Sequence, residues 1–131
     1  MNNLRNEWFS HELSDSESEN YHRPMEEEYS FYTAVKNGDM EFVRNNLNQG
    51  DFANPEGMGV LSKNPLTNLK YHFVVTVALV TRNCVEGGLE LEQAYRLSDF
   101  YILKMDSCST VKAIIDLHKD MVLDFTGKML V

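Results

Sequence analysis

The stretch of sequence between residues 64 and 88 constrains the fold of this chain more than any other. Its apolar side chains recur at steps of three and four residues over most of a helical circumference, which is typical of a helix buried on several sides. The β-branched run Val74–Val77 would also suit a strand, but the length, about 22 residues, and the flanking residues favour a helix. Asn64 and Pro65 suit its start, whereas Gly87 and Gly88 suit its end. We therefore predict one central, buried helix over residues 65–86.

The remaining sequence predicts shorter helices and no credible sheet. Gly38 suits the left-handed end of a helix that starts near Pro24, and Asp39 suits the N-cap of the next helix. Ser98 is expected to cap a further helix, and either Ser109 or Thr110 to cap the last one. The expected helices cover 24–36, 40–47, 65–86, 90–97, 99–106 and about 110–131, with a loop at 51–63. The predicted fold class is all-α, a compact bundle of about six helices around the central one.

Residues 1–20 are predicted to form a flexible acidic tail, and residues 21–131 to form the helical domain. The tail is rich in serine and carboxylates, and such a stretch buries too little apolar surface to offset its loss of conformational entropy. Leu4, Trp8, Phe9 and Leu13 nevertheless fall at helical spacing. A short amphipathic turn that docks on the body or on a second copy is therefore the alternative.

The chain is strongly acidic, with 20 Asp and Glu against 12 Lys and Arg and a formal net charge of -8. Because DNA affinity depends on neutralising phosphates with Lys and Arg, we expect the chain by itself to bind nucleic acid poorly. The sequence shows no signal-peptide pattern and no apolar run long enough for a bilayer, so we expect a cytoplasmic protein without membrane contact. In that compartment Cys84 and Cys108 are expected to be reduced thiols.

The residue types that carry catalysis are present but scattered. His11, His22, His72 and His118 do not pair with each other or with a cysteine at metal-ligand spacing. No serine sits in a nucleophile elbow, and no glycine-rich loop has phosphate-binding spacing. We therefore expect no enzyme activity, no catalytic residue, no metal site and no cofactor.

Two segments have the outline of binding motifs. Residues 89–102 look like a helix-turn-helix, but the second helix offers DNA only Asp99, Lys104 and Asp106, which favours a structural helix corner. Residues 34–50 look like one ankyrin repeat, and arrays of such repeats need about three or more units. No second unit follows, so this segment predicts two short antiparallel helices that meet at Gly38.

The last predicted helix carries a long apolar stripe. About half of the stripe is expected to be core. Because the stripe continues to the chain end without a cap, we also expect this helix to pair with another chain or to continue into a further domain. The candidate dimer residues are Ile114, His118, Met121, Phe125 and Met129.

The segment from Asn64 to Ile102 contains a distinctive series of residues. They are Pro65, Lys70, the apolar helix that follows, Thr81-Arg82, Gly87-Gly88, Ala94 and Leu97-Ser98-Asp99-Phe100-Tyr101-Ile102. In this series the segment resembles the helical region that precedes the DNA-binding domain in AraC-type transcription regulators of Firmicutes, and the similarity extends over roughly residues 21–130.

The resemblance implies a regulatory and dimerisation domain, a homodimer, and a C-terminal helix-turn-helix domain that is absent from this chain. DNA would then be contacted only through that missing domain. The alternative is a stand-alone acidic helical module for protein interaction or small-molecule sensing.

The candidate site residues are mainly architectural. We expect Arg82 to pair with Asp99 or Glu86, because an unpaired charge in apolar surroundings is costly. A pocket for an unknown small-molecule effector is expected at Tyr71, His72, Arg82 and Tyr101, although these residues would serve equally well as polar edges of the core. The residues with expected structural roles are Gly38, Pro65, Gly87, Gly88, Ser98 and Asp99.

Overall fold

All regular structure in the described part of the chain is helical. A computed structural model describes residues 2–18 and 21–130; Met1, Glu19, Asn20 and Val131 lie outside these ranges, so the predicted tail and last helix are compared only over the described residues. The predicted all-α class is confirmed. The helices are α1 (Asn2–Glu17), α2 (Met25–Lys36), α3 (Met40–Asn48), α4 (Pro65–Glu86), α5 (Leu91–Asp106) and α6 (Val111–Lys128), with a 3-10 turn at Asp51–Ala53.

The central helix α4 has the bounds that its sequence predicts. The Asn64 side chain accepts a hydrogen bond from the Thr67 N–H at 3.0 Å, and Pro65 is the first helical residue. The helix packs against α2, α5 and α6 and buries one side along its whole length. Its buried side chains are Leu69, Phe73, Val77, Val80, Thr81 and Cys84.

The α2–α3 hairpin turns at Gly38. Its φ of 70° lies in the left-handed region, its N–H donates to the Val35 carbonyl at 3.0 Å, and the Asp39 N–H donates to the Ala34 carbonyl at 2.9 Å. A Cβ at Gly38 would lie 3.1 Å from Cδ2 of Leu130, so the turn also packs against the end of α6. The predicted left-handed cap is confirmed. Pro24, however, is the N-cap of α2 rather than its first residue.

Gly87 and Gly88 end α4 for two different reasons. Gly88 has a φ of 111°, which favours glycine. Gly87 has an ordinary helical φ of -78°, but a Cβ there would lie 2.7 Å from Cγ of Lys36 and 2.9 Å from Cε of Met129. Gly87 therefore lets the ends of α2 and α6 approach the end of α4, where Lys36 Nζ lies 3.4 Å from Glu86 Oε1.

Ser98 does not begin a helix, so that prediction is wrong. The two short helices predicted around it form one continuous helix, α5, and Ser98 is buried in its middle. Ala94, Ser98, Tyr101 and Met105 form the buried stripe at steps of four, three and four residues. The helical spacing of these buried residues continues without a break at Ser98. The small side chains of Ala94 and Ser98 let α5 lie close to α4.

The apolar stripe of α6 belongs to the core of the chain itself. Thr110 is its N-cap, with Oγ1 accepting from the Ala113 N–H at 3.1 Å. Because the predicted dimer residues are already enclosed, they are not available to a second copy, and that assignment is corrected. Ile114, His118, Met121 and Phe125 are buried, and Met129 is half-buried against the same core.

Arg82 does not form the predicted ion pair. Its Nη1 donates to the Ala78 carbonyl at 3.2 Å, and its guanidinium lies 5.7 Å from the centroid of the Tyr95 ring. Glu86 pairs with Lys36, and Asp99 is exposed. Within the described residues Arg82 makes no ion pair, because its position on the exposed side of α4 leaves its charge hydrated and needing no partner.

The N-terminal segment is more regular than the predicted short turn. Residues 2–17 form α1, and the side chains of Leu4, Trp8, Phe9 and Leu13 are 52% to 68% exposed. On an ideal helix Phe9 lies about 140° around the axis from Leu4, so these residues form two apolar pairs rather than one stripe. The flexibility of this segment stays a prediction. No helix in the described part of the chain is both long enough and apolar enough to cross a membrane.

Candidate ligand-binding site

A cavity of about 210 Å³ lies between α2, α4, α6 and the connection from α3 to α4. Its walls are mainly apolar, and a few polar side chains reach it from each element. The connection covers it with residues 50–53 and 57–59, which we call the lid. The apolar lining comes chiefly from Phe31, Leu47, Phe52, Met58, Leu79 and Ile115.

Arg23 and His72 hold the connection between α3 and α4 in place by binding its backbone. Arg23 donates through Nη2 to the carbonyls of Asp51 and Asn54, the latter at 3.1 Å, and its own N–H donates to the Gly57 carbonyl at 3.3 Å. His72 Nε2 lies 2.5 Å from the Gly59 carbonyl oxygen. Because that oxygen can only accept, Nε2 carries the proton of His72. These bonds give partners to the carbonyls of Asn54, Gly57 and Gly59, while the Asp51 carbonyl also accepts from the Asn54 N–H at 3.1 Å.

An aromatic cluster joins the lid to the core. The ring of Phe52 stacks on the imidazole of His118 with centroids 3.7 Å apart and planes 4° apart. Phe73 meets both rings edge-on, at 6.5 Å from Phe52 and 6.4 Å from His118. Edge-to-face and stacked rings of this kind contribute about 0.5–1.5 kcal/mol each beyond their buried area.

His118 is the most unusual group in the cavity. It is 5% exposed, and neither ring nitrogen forms a hydrogen bond to a described residue. Neither nitrogen is fully sealed from accessible space, and His118 lines the cavity, from which we infer that the unbonded nitrogens open towards it. Burial, and next the charge of Lys119, lower the pKa of His118 to about 3. The imidazole is therefore neutral near pH 7 and presents one donor and one acceptor.

The remaining polar lining is nearly balanced in charge. The lining contains the carboxylates of Glu27, Glu28 and Asp51 and the cationic side chains of Arg23 and Lys119. Tyr32 is hydrogen-bonded to Thr76, and its pKa is raised to about 12 by burial and by the nearby charge of Glu28. Its phenol therefore stays neutral, like the imidazole of His118.

The structure brings only one of the four predicted pocket residues to this cavity. His72 lines it, whereas Tyr71 is half-exposed because neighbouring positions on α4 point about 100° apart. Arg82 is exposed and lies about 15 Å further along α4. Tyr101 is buried between helices, where its hydroxyl donates to Asp124 Oδ2 at 2.6 Å. The predicted grouping is therefore wrong for Tyr71, Arg82 and Tyr101.

The residues that the sequence analysis missed are Arg23, Phe52 and His118. Arg23 and Phe52 lie in irregular segments, where no periodicity indicates what a side chain contacts. His118 did carry a signal, because a polar ring within an otherwise apolar stripe needs a partner or an opening to water.

Within residues 2–18 and 21–130, no three His, Cys, Asp or Glu side chains group closely enough to hold a metal ion. Cys84 is buried and Cys108 half-buried, and both are free thiols. Comparison of the chain with models of protein families, with curated proteins and with solved structures gave no match.

Proposed function

We propose that this chain is the small-molecule-sensing regulatory module of an AraC-type transcription regulator that acts in the cytoplasm. The observation that carries the sensing part is the cavity under the lid, with the unbonded imidazole of His118 opening into it. The transcription part depends on the resemblance of residues 64–102 to AraC-type regulators. It agrees with the net charge of -8, because an acidic chain is a poor partner for DNA phosphates and another domain would have to contact them.

The chemistry of the lining supports binding rather than proton transfer. A histidine whose pKa is about 3 is a weak base near neutral pH, whereas an effective general base has a pKa near the working pH. His72 is occupied by the Gly59 carbonyl. The groups that remain can orient a bound molecule through hydrogen bonds and stacking.

The position of the cavity supports a regulatory response. A molecule in it would contact α6 through His118 and the lid through Phe52 at the same time. The far end of α6 packs on Gly38 and Gly87, at the ends of α2 and α4. A ligand that binds one arrangement of α6 and the lid more tightly than others would shift the population towards it, which is what an effector must do.

A thermal-shift screen of cell metabolites tests the sensing function. We expect at least one compound to raise the melting temperature of the chain, and the Ile115→Phe variant, which fills the cavity, to lose that response. Leu103→Phe is the matched control, because Leu103 is 71% exposed on α5 and outside the cavity. A screen without any stabilising compound would contradict the sensing function.

The transcription and dimer parts of the proposal have their own tests. The gene is expected to continue for about 100 codons with two helix-turn-helix patterns, because the DNA-binding domain of this family follows the regulatory region. A stop codon directly after this chain would contradict that.

We also propose a homodimer, because a protein with two-fold symmetry matches a pair of DNA half-sites. Sedimentation of the intact chain measures this, and a monomer at high concentration would contradict it.

A second function, protein interaction through α1, is favoured by one observation. Leu4, Trp8, Phe9 and Leu13 are all exposed on a helix of 16 residues. Trp8 is the single tryptophan of the chain, so its fluorescence reports on this helix alone. An emission maximum that moves to shorter wavelength as the protein is concentrated would support self-association through α1, and an unchanged maximum would contradict it.

A further inference from the structure

The cavity has the size of a small ring compound. An apolar cavity of about 150 Å³ in another protein holds benzene, so about 210 Å³ suits one six-membered ring with one or two small substituents. The stacked rings of Phe52 and His118 form part of the wall of this cavity. The walls formed by Phe31, Met58 and Ile115 provide the apolar contacts that such a ring requires.

The polar groups decide which ring compound fits. His118 is buried and unbonded, and a ligand with a matching polar group would recover the free energy that is lost when such a group has no partner. Because its imidazole is neutral, it can donate one hydrogen bond and accept another. A hydroxyl group can take either role towards it.

The charges around the cavity argue against a charged ligand. Arg23 is occupied by the carbonyls of Asp51 and Asn54, and the lining contains the carboxylates of Glu27 and Glu28 as well as the ammonium group of Lys119. An anion would lie near these two carboxylates, and a cation would lie near Lys119. Either would also lose its hydration in a mainly apolar space, which is costly without a dedicated counter-charge.

We propose that the cavity binds a neutral monocyclic phenol, whose ring packs between the lid and α4 and whose hydroxyl hydrogen-bonds to the imidazole of His118. This inference rests on the proposed sensing function and names the ligand class for it. The hydroxyl gives one of the two unbonded imidazole nitrogens a hydrogen-bond partner, and the ring fills the apolar volume of the cavity.

Calorimetric titration of the intact chain with three probes tests the ligand class. The probes are 4-methylphenol, toluene and benzoate, which share a ring but differ in hydrogen bonding and charge. We expect 4-methylphenol to bind with a Kd on the order of 0.1 mM and toluene to bind about tenfold more weakly, the worth of one hydrogen bond. Benzoate is expected not to bind. Equal affinities for 4-methylphenol and toluene, or tighter binding of benzoate, would overturn the proposal.

The His118→Phe variant tests the contact itself. It keeps a flat ring under Phe52 but replaces the imidazole and its two nitrogens with a slightly larger apolar ring, so the affinity for 4-methylphenol should fall about tenfold relative to that for toluene. Tyr71→Phe is the control, because it removes a hydroxyl outside the cavity and should change neither affinity. A variant that binds 4-methylphenol as tightly as the natural chain would contradict the role of His118.

Nitrogen NMR of the natural chain provides a test that does not depend on a variant. Addition of 4-methylphenol should shift the ring nitrogens of His118 and leave those of the exposed His11 unchanged. Unshifted His118 nitrogens at saturation overturn the proposed contact. If no ring probe binds but the metabolite screen finds another ligand that Ile115→Phe abolishes, the phenol class is wrong and the sensing function stands. If neither experiment finds a ligand, both fail.

Discussion

The phenyl ring of Phe52 lies parallel to the imidazole of His118, with 3.7 Å between the ring centroids. The contact connects a three-residue 3-10 turn with the middle of α6, two segments that are far apart in the sequence. Phe52 covers one face of His118, while the nitrogens of that ring open to the cavity. One aromatic pair therefore both closes the lid and keeps a polar group available beneath it.

Removing the Phe52 ring should loosen the lid. We expect Phe52→Ala to lower the free energy of unfolding by about 1–3 kcal/mol, because a half-buried ring loses part of its transfer free energy together with its stacking on His118. Urea denaturation measures the change. Val60→Ala, in the same connection but 82% exposed, is the control and should change stability by less than about 0.5 kcal/mol. Equal effects of the two substitutions would show that the stacked pair contributes nothing.

The burial of His118 should make stability depend on pH. Its pKa is about 3 in the folded chain and about 6.5 in the unfolded chain, so between these values only the unfolded chain binds the proton. The contribution of the neutral imidazole is complete above about pH 6.5 and is lost as the pH falls, by up to about 1.4 kcal/mol per pH unit.

The natural chain and His118→Phe should therefore differ in their pH profiles. We expect the free energy of unfolding of the natural chain to fall more steeply between about pH 6.5 and pH 4 than that of the variant. Urea denaturation at several pH values measures both slopes. The other titratable groups at the cavity occur in both proteins, so their effects cancel when the two slopes are compared. These groups are His22, Glu27, Glu28, Asp51, His72 and Lys119. Parallel profiles of the two proteins would contradict the prediction.

The hydroxyl of Tyr101 should stabilise the contact between α5 and α6. It donates to the Asp124 carboxylate at 2.6 Å, and a hydrogen bond to a charged group contributes about 1.5–3 kcal/mol. Tyr101→Phe should lower the free energy of unfolding by about that amount, less any recovery through Lys128, which lies 3.1 Å from Asp124. Tyr71→Phe, on a half-exposed ring, should have little effect, and a similar loss in both variants would argue against the bond.

Two glycines should respond in opposite directions to the same substitution. Gly38→Ala places a Cβ at a φ of 70° and 3.1 Å from Leu130, so we expect a loss of about 1–2 kcal/mol. Gly127→Ala adds a Cβ within α6 with no atom inside 4 Å, so we expect a gain of about 0.5–1 kcal/mol from helix propensity. Melting temperatures of the two variants measure the signs. A gain for Gly38→Ala would contradict the left-handed turn.

Local features of the sequence were sufficient for several elements. The caps at Asn64 and Asp39, the left-handed Gly38 and the bounds of α4 all follow from interactions within a few residues, which a sequence displays directly. Ser98 shows the limit of such reasoning. Serine is favoured at N-caps, but burial of the face that it shares with Ala94 and Tyr101 decided in favour of one continuous helix.

The sequence by itself determined the helical class and the central position of α4, because periodicity and caps are encoded over short distances. Only the tertiary structure decided where the stripe of α6 is buried and which polar groups surround the cavity. Four separate segments contribute side chains there, namely Arg23, Phe52, His72 and His118. No periodic pattern in the sequence indicates that these side chains lie together. The candidate site therefore follows from packing between distant segments, whereas the helices that carry it follow from their own residues.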